Sequence, residues 1–173
     1  MSVKELITVP DDILRKKSEP LNKVDVNEKK LIKDLFETMC HHNGIGLAAV
    51  QVGILKRVVV LDVSKNENEK KPLCFINPQI KTLSEKMSTY EEGCLSIPNT
   101  FIEIERPEIC TVSYIDENGV NKEMECDGLL STCLQHEINH LDGKLIIDYL
   151  SKIKKDLIIK KLSKQKTSNR VVV

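Results

Sequence analysis

The sequence predicts an α+β fold in a single compact domain, and three observations lead there. Helical and extended patterns fall in separate blocks instead of alternating as strand–helix–strand units. The 173 residues suffice for one hydrophobic core and fall short of two comfortable ones. Neither an internal repeat nor a domain linker interrupts them. The expected arrangement is short antiparallel sheets packed around a central helix that carries a His-Glu-x-x-His run, followed by a C-terminal helix.

Residues 25–43 open the series of elements. Leu31, Ile32, Leu35, Phe36 and Met39 recur three and four apart, the spacing of one helical face. Asp25 and Glu28 make a capping-box-like start, and Gly44 supplies the stop. The small-residue segment GIGLAAVQVG follows, and then RVVVLDV, residues 57–63, a β-branched run suited to a buried strand. Residues 65–71, KNENEKK, read as a polar loop. LCFINPQI, FIEIERPE and ICTVSYID read as strands, and Glu117-Asn118-Gly119 turns the last of them into VNKEMEC as a hairpin. Residues 127–141, DGLLSTCLQHEINHL, form a second helix that ends at Asp142-Gly143. A third amphipathic stretch begins near Leu150 and fades into KQKTSNRVVV.

Composition narrows the function classes. With 40% apolar and 30% charged residues the chain has the makings of a packed core rather than of a disordered state. Basic and acidic residues both number 26, which removes the broad positive field of a nucleic-acid enzyme, so no sequence-specific nucleic-acid partner is expected. No apolar run approaches the roughly 18 residues of a membrane span, and the first residues mix charge with proline, so neither a membrane segment nor a secretory signal is expected. Cys40, Cys74, Cys94, Cys110, Cys126 and Cys133 include no C-x-x-C pair, which argues against a zinc ribbon and a disulfide framework. They read as reduced thiols of a cytoplasmic protein.

The strongest chemical signal is His136-Glu137-Ile138-Asn139-His140 inside the second helix. Residues four apart stand one turn above each other, so both imidazoles can grip one metal ion. Leu129, Cys133, His136 and His140 share a face, and Glu137 flanks it. A mononuclear site needs a third protein ligand, and the 20 residues after His140 contain no His or Glu. Upstream there are two candidates, the tandem His41-His42 and Cys94. The histidines suit a helix C-terminus, where the dipole favours them. Cys94, read as part of an exposed Gly-containing turn, is better placed to leave the core.

GIGLAAVQ (44–51), EGCLS (92–96) and QHEINH (135–140), in this order, resemble the three signature motifs of the peptide deformylases. The likeness spans roughly residues 44–143 of a chain of that family's size. It implies one catalytic domain over residues 1–173 that removes the formyl group from the N-terminal formyl-methionine of newly made proteins, in a bacterial-type translation compartment. It also implies that Cys94, His136 and His140 hold one divalent metal, iron(II) in the cell, with zinc, nickel or cobalt as substitutes. Gln51 and the backbone N–H of Leu95 take the oxyanion-binding role, worth roughly 2.7–4 kcal/mol per donor in other hydrolases. The segment containing Gly44 and Gly46 pairs with the substrate main chain, and Ile45, Leu129 and Cys133 line a methionine pocket with Tyr90 at its rim. Glu137 is the carboxylate that helical spacing positions to take a proton from water and return it to the leaving amine. The family usually has Asp where this chain has Asn139, beside His136 and opposite Glu137, which bears on the tuning of the metal rather than on the base.

Taken singly, each motif has an ordinary explanation: satisfied helix histidines, small packing residues after a helix stop, a buried thiol at Cys94, helix core at Leu129 and Cys133. Two rival functions use the same residues. A zinc peptidase would draw its third ligand from His or Glu, and a domain with a purely structural metal would need neither Glu137 nor Gln51.

The charge distribution singles out the C-terminal segment, residues 151–173. Eight basic residues (Lys152, Lys154, Lys155, Lys160, Lys161, Lys164, Lys166, Arg170) and one acid, Asp156, fall between Ser151 and Arg170, leaving 18 basic and 25 acidic residues elsewhere. Leu150, Ile153 and Leu157 are expected on one helical face. Two readings follow: a solvated helix packed on the body, or, as in some deformylases, a basic helix that docks on the ribosome.

Overall fold

The computed structural model describes residues 2–64 and 70–168. Its centre is strand β2 (Val58–Leu61), all four residues of which are buried. Val58 and Val60 pack with helix α1 (Val26–His41), whereas Val59 and Leu61 pack with helix α2 (Gly128–Leu141). A strand covered on both faces has no solvent side, which is why its sequence is a continuous apolar run. The expected strand over 57–63 is therefore observed with its ends trimmed. Of the expected polar loop, residues 65–69 lie outside the described residues.

Strands β1 (Gly46–Ala48), β2, β3 (Leu73–Leu83), β6 (Ile109–Ile115) and β7 (Asn121–Asp127) form, in that order, a five-stranded antiparallel sheet. The β6–β7 hairpin closes as the sequence suggests: Asp116 N–H donates to Val120 O at 2.9 Å, and Gly119 takes φ 81°. Strands β4 (Met87–Cys94) and β5 (Ile97–Pro107) make a separate antiparallel pair. Helix α2 lies between the two sheets, so its residues reach both.

Several expectations need correction. Asp25 caps α1 by accepting the Asn27 N–H at 2.9 Å, but Glu28 turns to Lys56 Nζ at 2.7 Å instead of closing a capping box. The helix stops at Asn43, which takes φ 54°, and not through any special conformation of Gly44. Gly44 is needed for space, since a Cβ there would lie 2.8 Å from Leu95 Cδ1. Strand β4 was not expected, because its sequence is polar and it exists by pairing with β5. Cys94 consequently ends a strand rather than sitting on a glycine turn, and Gly93 pairs with Phe101 in the ladder.

The β4–β5 pair covers a third core with Leu14, Leu145 and Ile147, onto which helix α3 (Lys152–Ser168) packs through Leu162, Ile158 and Ile159. Ile153 and Leu157, expected on the packed face, are 75% and 62% exposed. The register of α3 is set by where the chain leaves the preceding turn, Ile146–Tyr149, and this rotates the other apolar stripe inward.

Candidate active site

Helix α2 and the end of β4 bring three ligand atoms together. Cys94 Sγ lies 3.2 Å from His140 Nε2, which lies 3.2 Å from His136 Nε2, and all three atoms fall within 4.8 Å of one another. A tetrahedral ion about 2.0–2.1 Å from nitrogen and about 2.3 Å from sulfur would separate neighbouring nitrogens by about 3.3 Å and sulfur from nitrogen by about 3.6 Å. The spacing of the two nitrogens, 3.2 Å, matches that geometry and the sulfur lies somewhat closer to His140 than it requires; a thiolate with two imidazoles is a donor set for a divalent transition metal. His41 and His42 are not part of it: they stack edge to face at 4.9 Å at the end of α1.

The two imidazoles shift in opposite directions. Burial works against a charge on His136, yet its hydrogen bonds with Cys94 and Glu92 outweigh that and raise it to about 10. Burial and the neighbouring His136 push His140 well below its usual value.

Glu92 and Arg106 were not singled out from the sequence. His136 Nδ1 lies 2.8 Å from Glu92 Oε2, which fixes the tautomer and leaves Nε2 for the side of His140. Arg106 grips the same carboxylate through Nε at 2.5 Å and Nη2 at 3.0 Å, with both side chains almost fully buried. Burial alone would raise the Glu92 carboxyl, but His136 and Arg106 hold it below the usual value. Arg106 Nη1 also donates to Asn139 Oδ1 at 2.9 Å and to Tyr149 OH at 3.1 Å, and Tyr149 OH donates to the same Oδ1 at 3.2 Å. On β5 Arg106 continues the inward row of Ile102 and Ile104, a faint period-two signal, but the polar β4 offers no such row, so nothing local marks Glu92.

Glu137 is 5% exposed and its Oε2 has no hydrogen-bond partner. Burial raises its carboxyl to about 7, helped by the charge of Glu92 and opposed by His136 and Arg106. Gln51 is anchored by its own backbone neighbourhood, Ala48 N–H donating to Oε1 at 2.8 Å. That turns Nε2 toward Ser96 Oγ at 3.2 Å and Cys94 Sγ at 3.8 Å. Ile45, Gly46, Gln51, Tyr90, Cys94, Leu95, Leu129, Cys133, His136 and Glu137 all line one cleft of about 630 Å³. His140 closes the site from behind and is 1% exposed. Leu129 is 38% exposed whereas Cys133 is buried and belongs also to the core beneath α2, so the pocket and core readings of Cys133 coincide.

A family model described as Polypeptide deformylase matches residues 3–156. The chain belongs to the polypeptide deformylase family. A peptide deformylase from Pelagibacter ubique (strain HTCC1062) is 53% identical over 173 residues, covering 100% of each chain. The crystal structure of peptide deformylase from Ehrlichia chaffeensis superposes with a TM-score of 0.92 at 42% identity, covering 98% of this chain and 100% of that one. A second structure from that organism, in complex with actinonin, gives 0.91 at 44% identity, covering 95% and 98%. The activity is that of a deformylase, removal of the N-terminal formyl group from newly made peptides. The α+β architecture is likewise shared with these deformylase structures. Among the described residues no helix is long and apolar enough to cross a membrane.

Proposed function

We propose that Glu137 carries the proton, that Gln51 and the Leu95 N–H bind the oxyanion, and that Cys94, His136 and His140 hold the metal in this formyl-methionine hydrolase. The observation that carries this reading is the opening of Glu137, Gln51, Cys94 and His136 onto one cleft, with the three ligand atoms converging at its wall. A divalent ion held by Cys94, His136 and His140 would supply Lewis acidity toward the formyl carbonyl and would lower the pKa of water. Glu137, whose carboxyl is raised to about 7, suits both uptake and release of a proton near neutral pH. It accepts the proton of the attacking water as oxygen joins the formyl carbon, and delivers it to nitrogen as the C–N bond breaks, leaving formate and a free amine. Gln51 Nε2, held in place through Oε1, donates to the oxygen that gains charge.

Ile45, Leu129 and Cys133 suit the flexible, apolar methionine side chain, with Tyr90 beside them and Gly46 next to the substrate main chain. Iron(II) is assigned as the cellular metal, zinc, nickel and cobalt being compatible with the same donors. The formylated nascent chain places the enzyme in the cytoplasm beside the ribosome, and the lysine-rich α3 supplies a basic surface for docking there. The test is formate release from formyl-Met-Ala-Ser by protein prepared without oxygen, with the bound metal identified in the same sample. Iron-dependent release supports the assignment; metal-loaded protein that releases no formate overturns it.

A further inference from the structure

Tyr149 does not line the cleft, yet it ends a chain of contacts that begins at His136. Glu92 Oε2 faces two donors, His136 Nδ1 at 2.8 Å and Arg106 Nη2 at 3.0 Å, so the guanidinium helps to set where the oxygen that meets the imidazole sits. Arg106 is 4% exposed, and a buried guanidinium leaves an N–H unpaired only at a cost. Its Nε and Nη2 go to Glu92, and its Nη1 donates to Asn139 Oδ1 at 2.9 Å and to Tyr149 OH at 3.1 Å. The hydroxyl passes its own proton to the same Oδ1 at 3.2 Å, which closes a ring of three hydrogen bonds. The aromatic ring lies 5.2 Å from Arg106 Cζ. Asn139 is a neutral amide, so the second Nη1 proton has no carboxylate at that position to turn to, and the hydroxyl is its acceptor.

We propose that Tyr149 is a positioning residue for the metal centre, its hydroxyl fixing the Arg106 guanidinium and, through it, the Glu92 carboxylate that orients His136. This rests on the reading of Cys94, His136 and His140 as metal ligands. A histidine ligand is only as well aimed as the acceptor on its other nitrogen allows. Without the hydroxyl one Nη1 proton is orphaned, and the guanidinium satisfies it by tilting toward water on the side where Tyr149 is itself 51% exposed. That tilt draws Nη2 from Glu92 Oε2 and lets the carboxylate turn away from His136 Nδ1. Tyr149 belongs to the turn Ile146–Tyr149, so one determinant of metal affinity lies outside the three segments 44–51, 92–96 and 135–140.

The experiment loads the full chain with zinc and competes the metal against a chelator, in the parent, Tyr149→Phe, Glu92→Gln and the double variant. Phenylalanine keeps the ring beside the guanidinium and removes only the hydroxyl. Glu92→Gln alters the direct partner of His136 and is expected to weaken zinc binding by about tenfold to a hundredfold. Tyr149→Phe, one step further out, weakens it by about threefold to tenfold, and by less than about twofold in the Glu92→Gln background, where its route to His136 has gone. Cobalt-substituted protein gives a second readout: its visible absorption bands, set by the geometry of the donors, move in Tyr149→Phe in the direction in which they move in Glu92→Gln. Parent-like zinc affinity in Tyr149→Phe, a loss that recurs in full in the Glu92→Gln background, or cobalt bands that stay where the parent has them overturns the proposal and leaves Tyr149 as packing for the turn. None of these results touches the ligand reading. Parent protein that binds no zinc overturns that reading, and the inference with it.

Discussion

A Cβ added at Gly46 would lie 2.6 Å from Glu137 Oε1 and 2.8 Å from Leu61 Cδ2, so this glycine gives the carboxylate its room. Gly46→Ala is expected to displace the carboxylate and lower kcat by on the order of a hundredfold, the scale of a small misplacement of a reacting group. Glu137→Gln keeps the shape but removes proton transfer, and should cost about a hundredfold or more. Both variants should retain metal, since neither residue is a proposed ligand; metal analysis beside the peptide assay checks this, and loss of metal from either would reassign it. Asn139 offers a different contrast. Its amide oxygen accepts from Arg106 and Tyr149 and leaves the guanidinium to pair with the Glu92 carboxylate. In Asn139→Asp a second carboxylate competes for Arg106, and metal affinity, measured against a chelator, should change by no more than about tenfold.

The turn Ile146–Tyr149 joins the cluster around His136 and Glu92 to the C-terminal helix. Tyr149 reaches Arg106, while Asp148 accepts from Arg15 and Lys155, each at 2.5 Å, and from the Leu145 N–H at 2.9 Å. Partial burial raises the Asp148 carboxyl, but Arg15 and Lys155 outweigh it and hold it at about 2, against an ordinary value of 3.8. A carboxyl whose folded value is depressed binds more protons when unfolded. Its stabilisation is therefore present above about pH 4 and is lost as pH falls from 3.8 through about 2. The Tm of Asp148→Asn should lie below that of the parent at pH 6 and converge on it as pH falls through that window. Because these side chains are 28–34% exposed, added salt should narrow the gap at pH 6. A gap that widens in acid would contradict the assignment.

Across the molecule, a body of net negative charge carries a C-terminal segment with eight basic residues and one acid. Lys155 pairs with Asp148, and Lys160, Lys161 and Lys164 are exposed on α3. The Lys166 side chain and Arg170 lie outside the described residues. Ile153 and Leu157 add exposed apolar surface to the same helix, so packing on the body does not use it up. Lys→Glu at positions 160, 161 and 164 together should weaken ribosome association, most visibly at low salt where phosphate contacts count most, and leave hydrolysis of a short formyl-peptide near the parent's rate. Unchanged cosedimentation with ribosomes at low salt would reduce the charge asymmetry to a solvated helix face.

What the sequence determined by itself is what local periodicity encodes. The four-residue spacing of His136 and His140, the unbroken apolar run of β2 and the Gly119 turn each depend on neighbours along the chain, and each was legible there. Three separated motifs in order carried the family. Tertiary structure alone decided the rest, because pairing partners distant in sequence leave no local period. Strand β4 is polar and becomes a strand only against β5, and that pairing carries Cys94 to α2. Glu92 and Arg106 look like surface charges until the hairpin buries them against each other, 14 residues apart. The inward face of α3 was likewise set by the turn before it: two apolar stripes were available, and the third core covered Ile158, Ile159 and Leu162.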